Sequence, residues 1–161
     1  MIEKIVSGGQ TGVDRGALDA ALEAGMPCGG WCPSGRRAED GVIPDRYPMQ
    51  CLAGGGYRQR TERNVIDSDG TVIIHRNSLT GGTRLTVELC VDKHKPCELI
   101  DAAEISARQA ARMLADFVDR HGIRVLNVAG PRESAWPAAR AYTTELIGHL
   151  LRAAPSQPPK M

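Results

Sequence analysis

Along the chain, short apolar stretches typical of strands alternate with longer stretches in which apolar residues recur every three or four positions, as they do in helices. Short runs rich in β-branched and apolar residues are typical of buried strands, and longer segments with apolar residues at helical spacing indicate helices. The predicted strands cover residues 2–6, 26–32, 71–75, 96–100 and 123–130, and the predicted helices fall within residues 16–25, 58–70, 77–94, 105–121 and 136–151. Regular strand–helix alternation predicts a doubly wound α/β domain with a mainly parallel sheet and helices on both faces.

The pattern also sets the expected domain organisation. The chain has 161 residues, which suits one domain with a full core, predicted over residues 1–152, and a disordered tail over 153–161. Between the second strand and the second helix lies a long segment rich in Pro and Gly, at residues 33–57. Such a loop in a compact domain is usually functional, so the part from Cys32 to Pro48 is predicted to cover a ligand.

Composition narrows the classes of function. The net charge is +1, so no overall field draws the chain to nucleic acid or to an anionic membrane. No apolar run approaches the ~20 residues that cross a bilayer, and the first residues lack the apolar segment of a secretory signal, so a cytoplasmic location is expected. Cys28 and Cys32 have the spacing of half a zinc site, but Cys90 and Cys97 do not supply the other half. The five cysteines are therefore predicted to be free thiols, with no metal site.

Three segments share the order strand, glycine loop, helix or turn: Ser7–Gly12, Leu79–Thr83 and Asn127–Ser134. In a doubly wound sheet, such loops lie together beyond the carboxyl ends of the strands, where ligands bind. Glycine lets the backbone come close to a ligand, and free N–H groups at a helix start face negative charge. The sequence therefore predicts a phosphate-bearing ligand, with ordinary tight turns as the alternative reading.

Familiar nucleotide motifs do not account for these loops. The first loop lacks the Lys-Ser/Thr pair of a P-loop, and its GGxxG spacing is not the dinucleotide fingerprint. The Asp-Ser-Asp-Gly stretch at residues 67–70 lacks the later ligands of a calcium loop. Neither ATP hydrolysis nor NAD chemistry is supported.

Charged residues near the loops are candidate anion contacts. Arg132 follows Gly130-Pro131 at a strand end, and its guanidinium geometry matches phosphate. The position of Arg36 is equally compatible with a residue that clamps phosphate and with a solvated side chain. That of Arg60 is equally compatible with a contact to the ligand in the pocket and with an ion pair at the surface. Asp14 stands in the first turn of the first helix, where it complements the helix dipole. The histidines are scattered, and no nucleophile pairs with one by spacing, which favours a binding protein over an enzyme.

The motifs SGGQTGVDRGALDAAL, GWCPSGRRAEDGVIP, YRQRTERNVIDSDGTVII, GGTRLT and LNVAGPRES, from Ser7 to about Tyr142, resemble the molybdenum cofactor carrier family. The resemblance implies a Rossmann-like fold, a homo-oligomer (dimer or tetramer) and a relation to the LOG/lysine-decarboxylase-like superfamily. It further implies binding of molybdenum cofactor, a pterin with a dithiolene and a terminal phosphate, for storage or for delivery to molybdoenzymes.

Loops and resemblance together define the predicted ligand site. The first loop is expected to cradle one end of the ligand through its backbone, and the second loop to form a second anion-binding nest. The third loop is expected to close the far side of the site, and three charged residues lie nearby. The predicted contacts are Gly8, Gly9, Gln10, Thr11, Gly12, Asp14, Arg36, Arg60, Gly81, Gly82, Thr83, Gly130, Arg132 and Ser134.

The LOG relation supplies an alternative function, nucleotide phosphoribohydrolase. Those enzymes carry a GGxGTxxE motif, and residues 81–88 keep its first two glycines and place Glu88 at the catalytic glutamate. Arg84 and Leu85 replace the Gly and Thr of the motif, which alters the loop that would hold a 5′-phosphate. A third possibility is a sensor that binds a nucleotide-derived ligand and transmits a change of shape.

Overall fold

A computed structural model describes residues 1–79 and 81–153, so Thr80 and nearly all of the predicted tail lie outside the described residues. In chain order, the elements are β1 (Lys4–Val6), α1 (Val13–Glu23), β2 (Cys28–Gly29), β3 (Trp31–Cys32), a 3₁₀ turn (Ser34–Arg36), β4 (Arg37–Ala38), β5 (Gly41–Val42), β6 (Gln50–Cys51), α2 (Tyr57–Asp67), β7 (Gly70–His75), α3 (Gly81–Asp92), β8 (Cys97–Asp101), α4 (Ala107–His121), β9 (Val125–Ala129) and α5 (Ala139–Ala153).

The central sheet has five strands in the order β2-β1-β9-β7-β8, and every pair in it is parallel. The register aligns Ile5 with Leu126 and Ile73 with Ala129. These strands are short apolar runs because a parallel sheet covered on both faces buries both sets of alternating side chains. The predicted Rossmann-like α/β architecture is confirmed.

Helices cover both faces of the sheet. α1, α4 and α5 pack together over one face, where Leu114, Phe117 and Leu146 belong to the main hydrophobic core. α2 and α3 pack on each other, and Val65, Leu89 and Cys90 form a smaller core there. No α-helix within residues 1–79 and 81–153 is long and apolar enough to cross a bilayer.

Local sequence signals set several helix ends. Ser106 caps α4 by accepting a hydrogen bond from the Gln109 amide at 3.2 Å, and the Gln109 side chain accepts one from the Ser106 amide at 3.1 Å. Gly122 ends the same helix in the left-handed conformation, with φ of 61°. Gly25, with φ of 66°, follows the end of α1 as predicted.

The single strand predicted over residues 26–32 is wrong. The structure divides it into β2, which joins the central sheet, and β3, which pairs with β6 in a separate two-stranded sheet. Gly30 marks the break: its φ is 126°, and a Cβ placed there would lie 2.2 Å from the Ser7 carbonyl oxygen. This close backbone approach turns the chain out of the sheet, and a pattern of apolar residues does not reveal it.

The long loop after β3 is a packed unit rather than an open segment. Ile43 and Tyr47 are fully buried and form a cluster with Leu18 of α1 and Cys32. The Tyr47 hydroxyl donates to Asp19 of α1 at 2.6 Å. The loop is thus fastened along α1.

Candidate functional site

The predicted meeting of the three glycine loops is confirmed by the order of the sheet. β1, β9 and β7 are neighbours, and their carboxyl ends open into one cleft of about 540 Å³. β9 leads to α5 on one face of the sheet and β7 leads to α3 on the other, so the cleft lies where the chain switches faces. Ligands bind at such a switch point in doubly wound sheets, and the volume lies within the usual range for small-molecule sites.

The cleft has a strongly positive lining. Four arginines contribute to it, at positions 58, 60, 76 and 132, and Asp14 is the one acidic residue among the described residues of the lining. The first turn of α3, Gly81 to Thr83, also lines it, and a 12-residue helix places partial positive charge at that end. This arrangement attracts an anion. Below, "rim" denotes the exposed residues Arg76, Gly81, Gly82 and Arg132, and "floor" denotes Gln10, Asp14 and Arg60.

Arg76 on the rim stands in a loop that Asp101 holds in place. The Asp101 Oδ1 atom accepts hydrogen bonds from the amides of Asn77, at 3.1 Å, and Ala103, at 2.9 Å. These backbone donors lower the pKa of Asp101, so the carboxylate stays charged. Asn77 adopts a left-handed conformation with φ of 63°, which turns the chain directly after β7.

An aromatic residue links floor and rim. The Tyr57 ring, in the first turn of α2, lies 6.0 Å from the Arg60 guanidinium carbon and 5.8 Å from that of Arg132. Trp136 lines the cleft nearby and packs on Tyr142, with ring centroids 5.6 Å apart. The cleft therefore offers aromatic surface beside its positive charge, which suits a ligand that joins a flat ring to an anion.

The amides of the first glycine loop are directed at a side chain of the protein. The Gln10 amide donates to Asp14 Oδ2 at 3.2 Å, and Arg60 Nη1 lies 3.4 Å from the same oxygen. Burial raises the pKa of Asp14, while Arg60, the Gln10 amide, Arg15 and the Gly8 amide oppose that rise. Asp14 thus accepts from the Gln10 amide of the predicted ligand cradle, while the Gly9 and Thr11 amides donate to the side chains of Ser7 and Gln10.

Eight of the predicted contacts line the cleft: Gln10, Asp14, Arg60, Gly81, Gly82, Thr83, Gly130 and Arg132. Six others lie outside its lining: Gly8, Gly9, Thr11, Gly12, Arg36 and Ser134. The division follows from packing. The Arg60 guanidinium lies over Gly8, where a Cβ would be 1.7 Å from Nη1, and Gly12 packs against the carbonyl of Pro131, 2.4 Å from its Cβ position.

Thr11 and Ser134 serve a contact between loops. Both hydroxyls bond to Glu39, at 2.6 Å from Ser134 Oγ to Oε2, and the Thr11 hydroxyl also accepts from the Glu133 amide at 3.1 Å. Burial of Glu39 tends to raise its pKa, but the hydrogen bonds from Ser134 and Thr11 outweigh this and lower it. Glu39 therefore fastens the long loop to the third glycine loop.

Arg36 is an internal brace of the long loop. Its guanidinium donates to the carbonyls of Ile43 at 3.2 Å, Pro44 at 2.9 Å and Tyr47 at 3.0 Å. A guanidinium that satisfies backbone carbonyls in this way is turned away from a ligand. No residue of the predicted cover, Cys32 to Pro48, contributes to the lining of the cleft, so that prediction is not supported.

Glu88 also lies outside the cleft. Its side chain is 64% exposed on α3 and pairs with Arg84 at 3.6 Å. Sequence reasoning missed Tyr57, Arg58, Arg76 and Trp136 as lining residues. Arg76 could have been found, because it directly follows a predicted strand and the carboxyl ends of parallel strands share an edge.

Comparison with known proteins agrees with this fold. The family described as "Circularly permutated YpsA SLOG family" matches residues 5–151. Among solved structures, the chain is similar to a "Putative molybdenum carrier protein" from Syntrophus aciditrophicus SB, at 45% identity over 93% of this chain and 95% of that one, with a TM-score of 0.91. No curated protein matches the chain. The chain belongs to the circularly permutated YpsA SLOG family.

Proposed function

We propose that the cleft binds a phosphate-bearing ligand, and that this ligand is molybdenum cofactor, held for storage or delivery. The observation that carries the proposal is the convergence of four arginines and the first turn of α3 on one cleft. The similar structure described as a molybdenum carrier supports the choice of ligand. Self-association and transfer to molybdoenzymes remain predictions.

The terminal phosphate of such a ligand fits the rim. Arg76 and Arg132 supply guanidinium donors there, and Gly81 and Gly82 are exposed with open space where a Cβ would stand. Absence of side chains at the first turn of a helix lets an anion come close to the backbone amides. The pterin ring is then directed towards Tyr57, which is 41% exposed and whose ring surface suits a flat heterocycle.

Binding without catalysis agrees with the chemistry of the lining. Asp14 is buried and paired with Arg60, and no second carboxylate stands opposite it among the described lining residues. The glutamate that a phosphoribohydrolase needs corresponds to Glu88, which is exposed and outside the cleft. The structure therefore gives the hydrolase alternative no favourable observation.

Native mass spectrometry with molybdenum analysis, on protein purified anaerobically from its own type of cell, tests the proposal. We expect a bound pterin that carries molybdenum. Arg132→Ala removes a charge-assisted contact to phosphate, which should reduce the bound fraction about tenfold, since such contacts contribute roughly 1.5–3 kcal/mol. Arg112→Ala, an exposed arginine of α4 outside the cleft, is the matched control. A nucleotide in place of the pterin, or equal loading of both variants, would contradict the proposal.

A further inference from the structure

Two thiols on neighbouring strands meet outside the cleft. All five cysteines are free, and the Sγ atoms of Cys32 and Cys51 lie 3.7 Å apart, so that one thiol donates a hydrogen bond to the other. Neither residue lines the cleft, and the proposed function uses neither of them. Two free thiols in contact need only an oxidant to become a disulfide.

The register of the small two-stranded sheet sets this contact. Cys32 of β3 and Cys51 of β6 are direct partners in a parallel pair, and the Leu52 amide donates to the Cys32 carbonyl at 3.0 Å. Neighbouring strands lie about 4.8 Å apart, and direct partners point their side chains to the same face. That separation falls within the Cα–Cα distance of roughly 4.4–6.8 Å that a disulfide spans. The two sulfurs can therefore bond without a change in strand pairing.

The two cysteines differ in their surroundings. The buried Asn64 side chain of α2 holds β3 by accepting from the Trp31 amide at 2.8 Å and donating to the Trp31 carbonyl at 3.0 Å. Cys32 is fully buried and packs against Leu18 of α1, whereas Cys51 is exposed. The pair thus joins a buried thiol on a fastened strand to a thiol that solvent reaches.

This difference assigns the order in which the thiols react. Burial raises the pKa of the Cys32 thiol to about 11, and the contact with Cys51 adds to the rise. The thiolate is the attacking form, so a buried thiol with a high pKa does not attack an oxidant in solution. Cys51 is therefore the residue that meets the oxidant first.

We propose that Cys51 is an oxidation site for hydrogen peroxide and that Cys32 converts the oxidised residue into a disulfide. The Cys51 thiolate attacks one peroxide oxygen, the O–O bond breaks, and the other oxygen leaves as hydroxide, which is protonated to water. Cys51 is then a sulfenic acid. The Cys32 sulfur attacks Cys51 Sγ, the S–O bond breaks, and the Cys32 proton leaves with the hydroxyl group as a second water. The two sulfurs lose the two electrons that reduce the peroxide.

The bond would close the long loop into a ring. Within that loop, Tyr47 is already fastened to α1, and Glu39 to Ser134 of the third glycine loop. Cys32 and Cys51 lie 19 positions apart in the chain. A ring of about this size restricts the unfolded chain enough to raise Tm by roughly 6–12 °C, and a thiol reductant should reverse the rise.

Peptide mapping without reduction tests the proposal. The reduced chain is treated with hydrogen peroxide, its remaining thiols are alkylated, and it is digested with trypsin. Trypsin leaves Cys28 and Cys32 in one peptide and Cys51 in another, so Cys28→Ser is the matched control that identifies the partner. We expect the linked peptides in the wild type and in Cys28→Ser but not in Cys51→Ser, an exposed position where the substitution leaves the fold intact. Dithiothreitol should release the peptides and remove the rise in Tm.

Three results would overturn the proposal. The linked peptides would be absent from Cys28→Ser if Cys28 were the true partner. Cys51 carried on to sulfinic or sulfonic acid, with Cys32 alkylated, would show that Cys32 does not resolve it. A link found only in dimers on non-reducing electrophoresis would make the bond intermolecular. None of these readouts involves a ligand, so the proposed function and this inference stand or fall separately.

Discussion

Gly130→Ala is a stringent test of how closely the sheet and the third glycine loop are packed. The Cβ of alanine would lie 2.2 Å from the Ile74 carbonyl oxygen and 2.6 Å from Val13 Cγ2, well inside the 3.4 Å at which ordinary contact begins. Ile74 belongs to β7, so its carbonyl cannot turn aside without disturbing a central strand. Gly130 itself needs no unusual φ, which makes the penalty a purely steric one.

Overpacking of this kind costs about 1–3 kcal/mol in the free energy of unfolding. For a chain of this size, that loss lowers Tm by roughly 2–10 °C. Urea unfolding and thermal denaturation, both followed by circular dichroism, measure the two quantities. The change should appear in the unfolding midpoint rather than in the slope of the urea transition, because the amount of surface exposed on unfolding is unchanged.

Gly82→Ala is the matched control, since Gly82 also lines the cleft but has open space at its Cβ position. Alanine is the better helix former, so in the first turn of α3 the substitution should leave stability unchanged or raise it by up to about 1 kcal/mol. A Gly130→Ala chain whose Tm stays within about 1 °C of the wild type, or loses no more than Gly82→Ala, would refute the steric argument.

Four further outcomes are expected. Arg36→Ala should destabilise the chain by about 1–3 kcal/mol in urea unfolding, because part-buried carbonyls of the long loop lose their donors, while ligand binding changes little. Glu88→Gln should leave ligand affinity at the wild-type value in titration calorimetry, since that side chain is exposed outside the cleft. Ser106→Ala should cost about 0.5–2 kcal/mol of stability through loss of the α4 cap. The hydrogen bond from Arg15 lowers the pKa of Asp40 in the folded chain. The stability that this pair contributes is therefore present above the unfolded pKa, near 4, and is lost as the pH falls through the lower folded pKa. Asp40→Asn should for this reason flatten the acid limb of a curve of unfolding free energy against pH.

Each of these has a contrary result. Weakened ligand binding in Arg36→Ala at full stability would return that residue to the ligand site. Loss of binding in Glu88→Gln would revive the hydrolase alternative, and base release from nucleoside monophosphates would then be the assay. Unchanged stability in Ser106→Ala, or an acid limb in Asp40→Asn as steep as that of the wild type, would show that the contact in question contributes nothing measurable.

The sequence by itself determined the α/β class, four of the five strands of the central sheet and the edge where the cleft lies. These follow from local physics: the strands are short apolar runs, the helices carry apolar residues at helical spacing, and glycine permits tight turns at strand ends. Since carboxyl ends of parallel strands meet at one edge, the order of elements along the chain places the three glycine loops on the same edge, and the order of strands in the sheet makes them neighbours. Resemblance added the family, which the match over residues 5–151 confirms.

Only the tertiary structure decided which residues of those loops face the cleft and which hold the protein together. Arg36 and Arg132 are both predicted as anion contacts, yet one braces a loop and the other lines the cleft. The first loop has the composition of an anion cradle, but its amides donate to side chains of the protein: that of Gln10 to Asp14, whose proximity depends on how α1 begins, and those of Gly9 and Thr11 to Ser7 and Gln10. Partners distant in sequence, such as Gln10 with Glu39 and Asp14 with Arg60, settle these roles, because the direction of a donor is set by what it contacts after folding.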